Sequence, residues 1–566
     1  MAWFKHSARL RNQEIGPDEI FLDSSNLPAY DTGHFEGRLE RPIGRRSLFV
    51  VGVFVALLFF AFGTRALDLM FINGTAYATQ AAENQLAEQL LFADRGALKD
   101  RMGVELAYNV HPQGTTTPEA GAVARAYSTY RGVSHVVGYT KPPAKDASGI
   151  YYQTTFTGID GAEQVFDGIL SGKNGRILTE TDAHGNVVSQ SAEDPPVAGS
   201  PLTLSIDAAV TEGLYDAIAL RVVDSKFQAG AGVLMDVETG ELVALTSYPE
   251  YSSQTLSEGS AAALAALTKD TRNPFLDRAV DGLYAPGSIV KPFVGVAALT
   301  EGIIDEYKQI LSTGSISVPN PYNPETPSVF KDWRANGWVD MRHAIAVSSD
   351  IYFYEVGGGF AGQPGLGIDR LDQWLREFGF GEDAGLLGIS HQVGTIPTPA
   401  WKETTFSGDP WRIGDTYNTA IGQYGVQVTP LQAVRATGAL ANGGYLLTPT
   451  LIASSTPYSR SVGAPSEAMQ VAREGMRLGV TEGIAGAVNV PYVSVAAKTG
   501  TAQVGVKNEY MNSWMIGFFP YEHPRYAYAI VLERGPAGTA VGASAATRAF
   551  LDWINTNAPQ YFEVAP

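Results

Sequence analysis

The stretch YAPGSIVKPFVGVAALTEG, residues 284–302, joins a Pro-Gly turn to an apolar run. Ser288 follows the turn directly, and Pro292 lies within the first residues of the run. A proline is tolerated there because the first four N–H groups of a helix have no partner inside the helix. The stretch therefore predicts a helix that begins at or near Ser288, with Lys291 one turn further along the same face.

The spacing of Ser288 and Lys291 suits nucleophilic catalysis. A serine hydroxyl is a poor nucleophile until a nearby base removes its proton, and a desolvated lysine with a depressed pKa can act as that base. A helix N-terminus also favours negative charge that develops close to it. A Ser-x-x-Lys match alone is weak, because roughly one or two are expected by chance in a chain of this length.

A second candidate element is Ser348-Ser349-Asp350, within HAIAVSSDIYFYEVG, which is typical of a loop flanked by helices. Ser348 could relay a proton between Lys291 and a leaving group. Asp350 could accept a hydrogen bond from that lysine or from a substrate amide. Serine and aspartate are also common helix caps, so a purely structural role stays open for both.

The third element, Lys498-Thr499-Gly500-Thr501, ends the predicted strand VSVAAKTGTAQV. A lysine at a strand edge can bind a substrate carboxylate, and Gly500 removes side-chain bulk where a substrate backbone must approach. The N–H groups of Thr501 and Ser288 could form an oxyanion hole. An edge lysine before a glycine turn is the structural alternative.

The two ends of the region from residue 206 to 566 both predict strands. Residues 229–249 and 512–533 each show the pattern of a hairpin, and helical patterns lie between them, with a last helix near 545–554. Ser205-Ile206-Asp207 offers a helix cap, and we place a domain boundary there. We therefore predict an α+β domain, residues 206–566, whose sheet joins the two ends of the region.

The region before this domain, residues 64–205, is predicted to be a mostly β module. Short β-branched and aromatic runs separated by Gly, Asn and Asp fill it from about residue 95. Residues 78–91, ATQAAENQLAEQLL, have apolar residues at helical spacing and predict a helix.

Residues 47–63, SLFVVGVFVALLFFAFG, are apolar and uncharged and predict a transmembrane anchor. Four arginines, at 38, 41, 45 and 46, precede them, so the positive-inside rule leaves the tail of residues 1–46 in the cytoplasm and exports the rest. A buried core helix and a cleaved signal peptide are the alternatives. The small-x-small triplet at residues 76–78 lies too far beyond the apolar run for a signal peptide.

Composition excludes several classes of protein. The 566-residue chain carries a formal net charge of −18, which argues against a nucleic-acid partner. It has no cysteine, so disulfides and thiolate metal sites are excluded. The sequence holds neither an H-E-x-x-H pair nor a G-x-S-x-G elbow, and we predict no metal and no cofactor.

Together, the three elements resemble the Ser-x-x-Lys, Ser-Asp-Asn and Lys-Thr-Gly signature of penicillin-binding proteins and class A β-lactamases, in the same chain order. The middle element ends in Asp350 rather than the commoner Asn. Further stretches are similar to class B penicillin-binding proteins, the monofunctional peptidoglycan D,D-transpeptidases, and span about residues 94–554. They include ADRGALKDRMGVELAYN, GIDGAEQVFDGILSGKNG, ETGELVALTSYPEY, YNTAIGQYGVQVTPLQAVRATGALANGG and AAKTGTAQ.

The resemblance implies a transpeptidase domain preceded by a pedestal, often called the dimerisation domain, at residues 64–205. It implies Ser288 as the acylated nucleophile and Lys291 as general base. Ser348 and Asp350 would act as proton relay and amide contact. The side chains that would bind the terminal carboxylate and stabilise the oxyanion belong to Lys498, Thr499 and Thr501, with Gly500 between them.

By the same resemblance, the substrates are a D-Ala-D-Ala stem peptide as donor and an amine of a neighbouring stem as acceptor, and β-lactams acylate the same serine. A membrane glycosyltransferase of the shape, elongation, division and sporulation (SEDS) family is the implied partner, in the bacterial inner membrane. The alternatives are a D,D-carboxypeptidase or β-lactamase-like hydrolase, and a β-lactam sensor.

Within the family, two stretches are more similar to the elongation type, penicillin-binding protein 2, than to the division type. One is SSDIYFYEVG, and the other is PWRIGDTYNTAIGQYGVQVTPLQ, with Trp411 and Asp415. Tyr424 departs from both types, which usually carry Gly there. We therefore expect an elongation role, with a septal role as the alternative.

Overall fold

The computed structural model describes residues 45–77, 86–111, 124–181, 187–320, 323, 325–386, 389 and 391–563. The predicted tail up to residue 44, and residues 78–85 of the helix predicted over 78–91, lie outside this range. The chain divides into two compact units, one containing the segment up to Ala87 together with Glu180–Ser189, the other containing the remainder.

The first unit is dominated by the apolar helix α1, Arg45–Leu67, which continues as a π-helical turn, Asp68–Ile72. Leu48–Ile72 is long and apolar enough to cross a membrane, and its most apolar part is not buried against the rest of the described chain. The predicted span over residues 47–63 therefore lies within one continuous helix.

The described residues from 86 to 205, which belong to the predicted pedestal, form mostly short strands. Leu86–Leu91 forms a strand, so the helix predicted over 78–91 is wrong for its described part. Pairing within the sheet β1-β9-β10 overrides the local helical spacing. The strands are β1 (Leu86–Leu91), β2 (Leu98–Lys99), β3 (Glu105–Val110), β4 (Ala124–Tyr127), β5 (Thr140–Lys141), β6 (Ala144–Lys145), β7 (Tyr151–Gln153), β8 (Thr157–Gly158), β9 (Gly175–Thr181), β10 (Val187–Asp194) and β11 (Leu202–Thr203).

A second pedestal sheet has the order β11-β2-β3-β4. Beside it, the fully buried carboxylate of Glu163 accepts hydrogen bonds from two buried guanidinium groups, those of Arg95 at 2.6 Å and Arg125 at 2.8 Å. This pairing satisfies the buried charges without solvent. Short helices also occur in the described part of this region, among them α2 (Ser134–Val137), α3 (Gly161–Val165) and α4 (Asp167–Leu170).

A five-stranded antiparallel sheet, with the order β13-β12-β22-β21-β20, forms the centre of the C-terminal domain. The two hairpins predicted at its sequence ends are both present and are joined through β12 and β22. The sheet strands are β12 (Ala229–Asp236), β13 (Leu242–Tyr248), β20 (Ala496–Val504), β21 (Tyr510–Phe519) and β22 (Tyr526–Pro536). Minor strands lie between them: β14 (Ile310–Ser312), β15 (Ser315–Val318), β16 (Ser328–Lys331), β17 (Gly337–Val339), β18 (Tyr445–Leu447) and β19 (Ser459–Ser461).

Both faces of this sheet are covered by helices. Alternate residues of β22 enter different hydrophobic clusters: Ala529 and Val531 pack with α14 residues, whereas Ile530 and Leu532 pack with α5 and α16. The period of two is that of a strand buried on both sides. The helices are α5 (Ala208–Asp224), α6 (Ser253–Ser257), α7 (Ala261–Lys269), α8 (Lys291–Thr300), α9 (Met341–Val347), α10 (Asp350–Gly358), α11 (Gly367–Glu377), α12 (Pro399–Thr405), α13 (Ile413–Ala420), α14 (Pro430–Ala441), α15 (Ser466–Thr481) and α16 (Ala543–Asn557).

Candidate active site

Ser288 lies in a single 3-10 turn, Gly287–Val290, that leads directly into α8. Lys291 is the first residue of α8, and Pro292 occupies the first turn, as the sequence predicted. Ser288 is half-buried and lines a groove of about 1210 Å³. The turn therefore presents the predicted nucleophile to a cavity large enough for a peptide substrate.

The Ser288 turn packs closely against two other backbone segments, and glycines make this approach possible. A Cβ on Gly422 would lie 2.3 Å from the carbonyl oxygen of Gly287, and one on Gly500 would lie 2.8 Å from that of Pro286. The Gly287 N–H donates to the Gly422 carbonyl at 2.9 Å. Gly500, which the sequence predicted as a close-approach position, therefore also lets strand β20 pack against the turn.

The turn between α9 and α10, residues 348–350, carries the second predicted element, and we call it the relay turn. Ser348 ends α9 in the left-handed region, with φ 57° and ψ 44°. Ser349 caps α10 by accepting a hydrogen bond from the Tyr352 N–H, and Asp350 is the first residue of that helix. The capping role thus belongs to Ser349, which leaves the side chains of Ser348 and Asp350 free for other partners.

The side-chain nitrogens of two lysines converge on the Ser348 hydroxyl. Lys291 Nζ donates to Ser348 Oγ at 3.2 Å, to the Ser348 carbonyl at 2.8 Å and to Asp350 Oδ1 at 2.6 Å. Lys498 Nζ donates to Ser348 Oγ at 2.8 Å and to the Thr499 carbonyl at 2.8 Å. Both lysines are almost completely buried, at 0% and 2% exposure. The three sequence elements therefore meet through one hydrogen-bonded network.

The electrostatics of the network act most strongly on Lys498. Burial, followed by the nearby charge of Lys291, holds the pKa of Lys498 well below its usual value, and the Asp350 carboxylate opposes this. The cause is desolvation, which penalises the charged ammonium. Lys498 thus lies at a site where the charged form is costly unless an anion is present.

Strand β20 forms one wall of the groove. Thr499 and Gly500 line the groove with Thr501, which is exposed to solvent. Because β20 is the edge strand of the five-stranded sheet, its free side is open to an extended ligand.

Several groove residues were missed by the sequence analysis. Asp332 and Trp333 lie beside the relay turn, and Tyr354 and Gln423 line the groove elsewhere. Short motifs do not mark these residues, because their roles depend on contacts between distant parts of the chain. The link from Ser349 to Asp332, for example, spans 17 residues.

Tyr424 also lines the groove, and its backbone is in the left-handed region, with φ 57°. Its ring stacks on Phe406 with centroids 6.4 Å apart and meets the edges of Trp401 and Trp411. The buried ammonium of Lys402 lies 5.5 Å from the ring centroid. These contacts stabilise a tyrosine at a position where the backbone conformation favours glycine.

No group of three or more His, Asp or Glu side chains within the described part of the chain is arranged to hold a metal ion.

Two family models match the chain. The penicillin binding protein transpeptidase domain matches residues 230–554, and the penicillin-binding protein dimerisation domain matches residues 116–204. All three sequence elements fall within the first match.

Curated relatives match over most of the chain. The peptidoglycan D,D-transpeptidase MrdA of Escherichia coli K12 is 31% identical over 484 residues, which cover 78% of this chain and 73% of the relative. The peptidoglycan D,D-transpeptidase FtsI of the same organism is 25% identical over 431 residues, covering 75% of this chain and 65% of the relative.

Solved structures show the same architecture. A complex between penicillin-binding protein 2 and MreC from Helicobacter pylori aligns with a TM-score of 0.69 at 26% identity, covering 84% of this chain and 99% of the solved chain. A chain from a peptidoglycan synthase complex, described as coordinating polymerization and crosslinking, aligns with a TM-score of 0.69 at 26% identity. The alignment covers 90% of this chain and 98% of the solved chain.

Proposed function

The chain belongs to the penicillin-binding protein transpeptidase family, and from this we propose that it is a peptidoglycan D,D-transpeptidase that crosslinks stem peptides through an acyl-enzyme on Ser288. The observation that carries the assignment to Ser288 is the convergence of two buried lysines on Ser348 in the groove that Ser288 lines. Such a network can move a proton without solvent.

In the first half-reaction, Ser288 Oγ attacks the carbonyl carbon of the donor's D-Ala-D-Ala bond. Lys291 takes the hydroxyl proton, and the oxyanion is stabilised by the N–H groups of Ser288 and Thr501. When the tetrahedral intermediate collapses, the C–N bond breaks and Ser348 passes a proton from the lysine to the departing D-Ala amine. The acyl group remains as an ester on Ser288.

In the second half-reaction, an amine of a neighbouring stem peptide attacks the ester. The amine loses a proton to the same network, the new peptide bond forms, and Ser288 recovers its proton as the ester bond breaks. The donor's terminal carboxylate is bound by Lys498, Thr499 and Thr501, while Gly500 leaves room for its backbone. A β-lactam reacts at the same serine, but its leaving group stays attached.

The role within the family is that of the elongation type. The MrdA relative matches at higher identity and over more of its length than the FtsI relative does. The penicillin-binding protein 2 structure agrees with this assignment. Asp350 in the middle motif is the corresponding sequence feature.

The protein is a single-pass membrane protein anchored by α1, with its N-terminus in the cytoplasm and the pedestal and transpeptidase domain outside it. The charge asymmetry around the helix supports this orientation, because arginines cluster on the N-terminal side of the apolar stretch. The domain boundaries we propose are 1–46 for the tail, 47–63 for the anchor, 64–205 for the pedestal and 206–566 for the transpeptidase domain.

The proposed partner is a SEDS-family glycosyltransferase in the same membrane. Support comes from the solved relative in a peptidoglycan synthase complex, since a crosslinking enzyme requires newly polymerised glycan strands as its substrate.

Covalent labelling tests the assignment. Ser288→Ala in the membrane-anchored protein should abolish labelling by a fluorescent penicillin, whereas Ser225→Ala, at the end of α5, should label like the native protein. Intact mass with peptide mapping should place the adduct on Ser288. Labelling of Ser288→Ala at the native rate would refute the nucleophile assignment. Release of D-Ala by water alone, with no transfer to an added amine acceptor, would indicate the hydrolase alternative.

A further inference from the structure

Asp332 belongs to none of the three motifs, yet its buried carboxylate lies directly against the relay turn. Its Oδ2 accepts hydrogen bonds from Ser349 Oγ at 2.7 Å, from Ser312 Oγ at 2.9 Å and from the Ile351 N–H at 3.3 Å. A buried carboxylate that accepts several hydrogen bonds is a rigid anchor, because each donor restricts its orientation.

The neighbouring residue, Trp333, holds the other side of the relay turn. Its indole Nε1 donates to the Val347 carbonyl at 3.0 Å, and its backbone N–H donates to Asp332 Oδ1 at 2.8 Å. Val347 and Ser349 are the residues immediately before and after Ser348. The Asp332-Trp333 pair therefore binds both flanks of the relay serine.

Ser348 needs this support because its backbone lies in the left-handed region, with φ 57°. A non-glycine residue keeps such a conformation only where the surrounding structure enforces it. A relaxed backbone would turn the Ser348 side chain away and separate Oγ from the two lysine Nζ atoms that it now contacts.

We propose that Asp332 is a positioning residue for the proton relay, acting through Ser349 to hold Ser348 between Lys291 and Lys498. This inference rests on the proposed function, since it assigns to Asp332 the geometry on which Ser288 acylation depends. Asp332 contacts the relay turn through Ser349 Oγ and the first turn of α10 through the Ile351 N–H. Its effect is therefore on the rate of the chemical step, whereas the binding of the ligand carboxylate belongs to strand β20.

The test is Asp332→Asn in the full-length protein, with the acylation rate constant and the dissociation constant of the noncovalent complex measured separately for a fluorescent penicillin. Asn keeps the shape of the Asp side chain, but one of its two terminal atoms is an NH₂ donor. It therefore cannot accept from all the groups that now donate to Asp332. The acylation rate constant should fall about 10- to 100-fold, while the dissociation constant stays within about threefold.

Ser349→Ala removes the other partner of the 2.7 Å hydrogen bond and should slow acylation in the same way. The double variant should be no slower than Asp332→Asn alone, because both changes break the same link. Should Asp332→Asn fail to fold, Ser349→Ala decides the matter, and a native acylation rate in that variant overturns the proposal.

Asp340→Asn is the matched control. Asp340 caps the N-terminus of α9, the helix that ends at Ser348, by accepting from the His343 N–H at 2.9 Å. The Asp340→Asn variant should have a lower melting temperature and an unchanged acylation rate constant. Native acylation by Asp332→Asn, or equal slowing by Asp340→Asn, overturns the positioning role. Failure of the native protein to label at Ser288 would instead refute the proposed function.

Discussion

The side-chain amines of Lys291 and Lys498 are both buried and both donate to the Ser348 hydroxyl, and the Asp350 carboxylate accepts from Lys291. Burial, followed by the charge of Lys291, lowers the pKa of Lys498, so its charged form is disfavoured in the free protein. In the proposed function, the substrate carboxylate binds beside Lys498 and favours that charged form.

Lys498→Met should consequently stabilise the free protein and impair recognition. Replacing a buried amine whose charged form is penalised by desolvation with an apolar side chain should raise the free energy of unfolding by about 1–2 kcal/mol, seen as a higher Tm. Acylation by a penicillin should fall about 10- to 100-fold through loss of a charge-assisted hydrogen bond. Acylation by an analogue with an esterified carboxylate should slow much less.

The control for this change is Lys269→Met, at the exposed end of α7, which should alter neither Tm nor acylation. A lower Tm for Lys498→Met would show that Lys498 is stabilising in the free enzyme. Equal losses with the penicillin and its ester would assign Lys498 to proton transfer alone.

The residues of the three motifs could be predicted because each motif places its reactive residue types within a few positions of one another in the sequence. The Ser288 and Lys291 positions follow from one helical turn, and the resemblance joined them to the other elements before any contact was known. Asp332 and Trp333 could not be predicted, since side-chain contacts across a folded loop leave no periodic signal. The left-handed backbone of Tyr424 could not be predicted from local sequence either, because aromatic contacts with distant residues stabilise it.

At the scale of elements, the site is an assembly of three backbone segments held close together by glycine. The turn before α8, the turn after α13 and strand β20 meet at Gly287, Gly422 and Gly500. A Cβ on Gly422 would lie 2.3 Å from the Gly287 carbonyl oxygen. This steric overlap can be relieved only if the two backbone segments move apart. Such movement would displace the Ser288 turn itself.

Gly422→Ala should therefore slow acylation by at least about tenfold and lower stability by about 2 kcal/mol, measured by penicillin labelling kinetics and by thermal unfolding. Gly302→Ala is the matched control. Gly302 also has a positive φ, 63°, but a Cβ there would meet nothing within 4 Å. In the Gly302→Ala variant the free energy of unfolding should fall by about 1 kcal/mol from backbone strain alone, and the acylation rate should stay native. Equal effects of the two variants would mean that strain, rather than close approach, explains Gly422.

The elements show where sequence patterns suffice and where they fail. The hairpins over residues 229–249 and 512–533 were predicted because their apolar runs and the turn residues between them agree with the tertiary structure. The helix predicted over 78–91 fails in its described part, because helical spacing in a short segment does not outweigh sheet pairing. Local pattern is decisive only when long-range contacts favour the same structure.

At the scale of the whole molecule, the pedestal is joined to the transpeptidase domain by buried polar contacts. The Arg101 N–H donates to the Ile206 carbonyl at 3.0 Å, and the Ala208 N–H donates to Asp100 Oδ2 at 3.0 Å. The Tyr251 hydroxyl donates to pedestal Asp160 at 2.6 Å. These bonds link the start of α5 and the loop after β13 to the pedestal, so the two regions restrain each other.

A titratable cluster lies at this junction. The pKa of His135 is lowered to about 4, chiefly by burial, so this pedestal histidine is neutral at physiological pH. Burial raises the pKa of Asp277 to about 7, and the charge of pedestal Asp160 adds to the effect. Asp277 accepts a hydrogen bond from the Ala279 N–H, and the charge of Arg278 also favours the carboxylate, so both limit the shift of its pKa. The junction therefore contains an acid that ionises near neutral pH.

The sign of the resulting pH dependence follows from proton linkage. Asp277 has a raised pKa in the folded state, so between its ordinary value of 3.8 and about 7 the folded protein binds more protons than the unfolded chain. Its contribution to stability must fall as the pH rises through this window and then level off. Asp277→Asn removes that loss and keeps the hydrogen bond to Ala279, so it should raise Tm by several degrees at pH 8 and hardly change it at pH 4.5. Asp224→Asn, at the exposed end of α5, should leave Tm unchanged at both values. Thermal unfolding at the two pH values measures the effect, and a Tm gain that is equal at both would show that Asp277 does not ionise across this range, because only its ionisation makes the gain depend on pH.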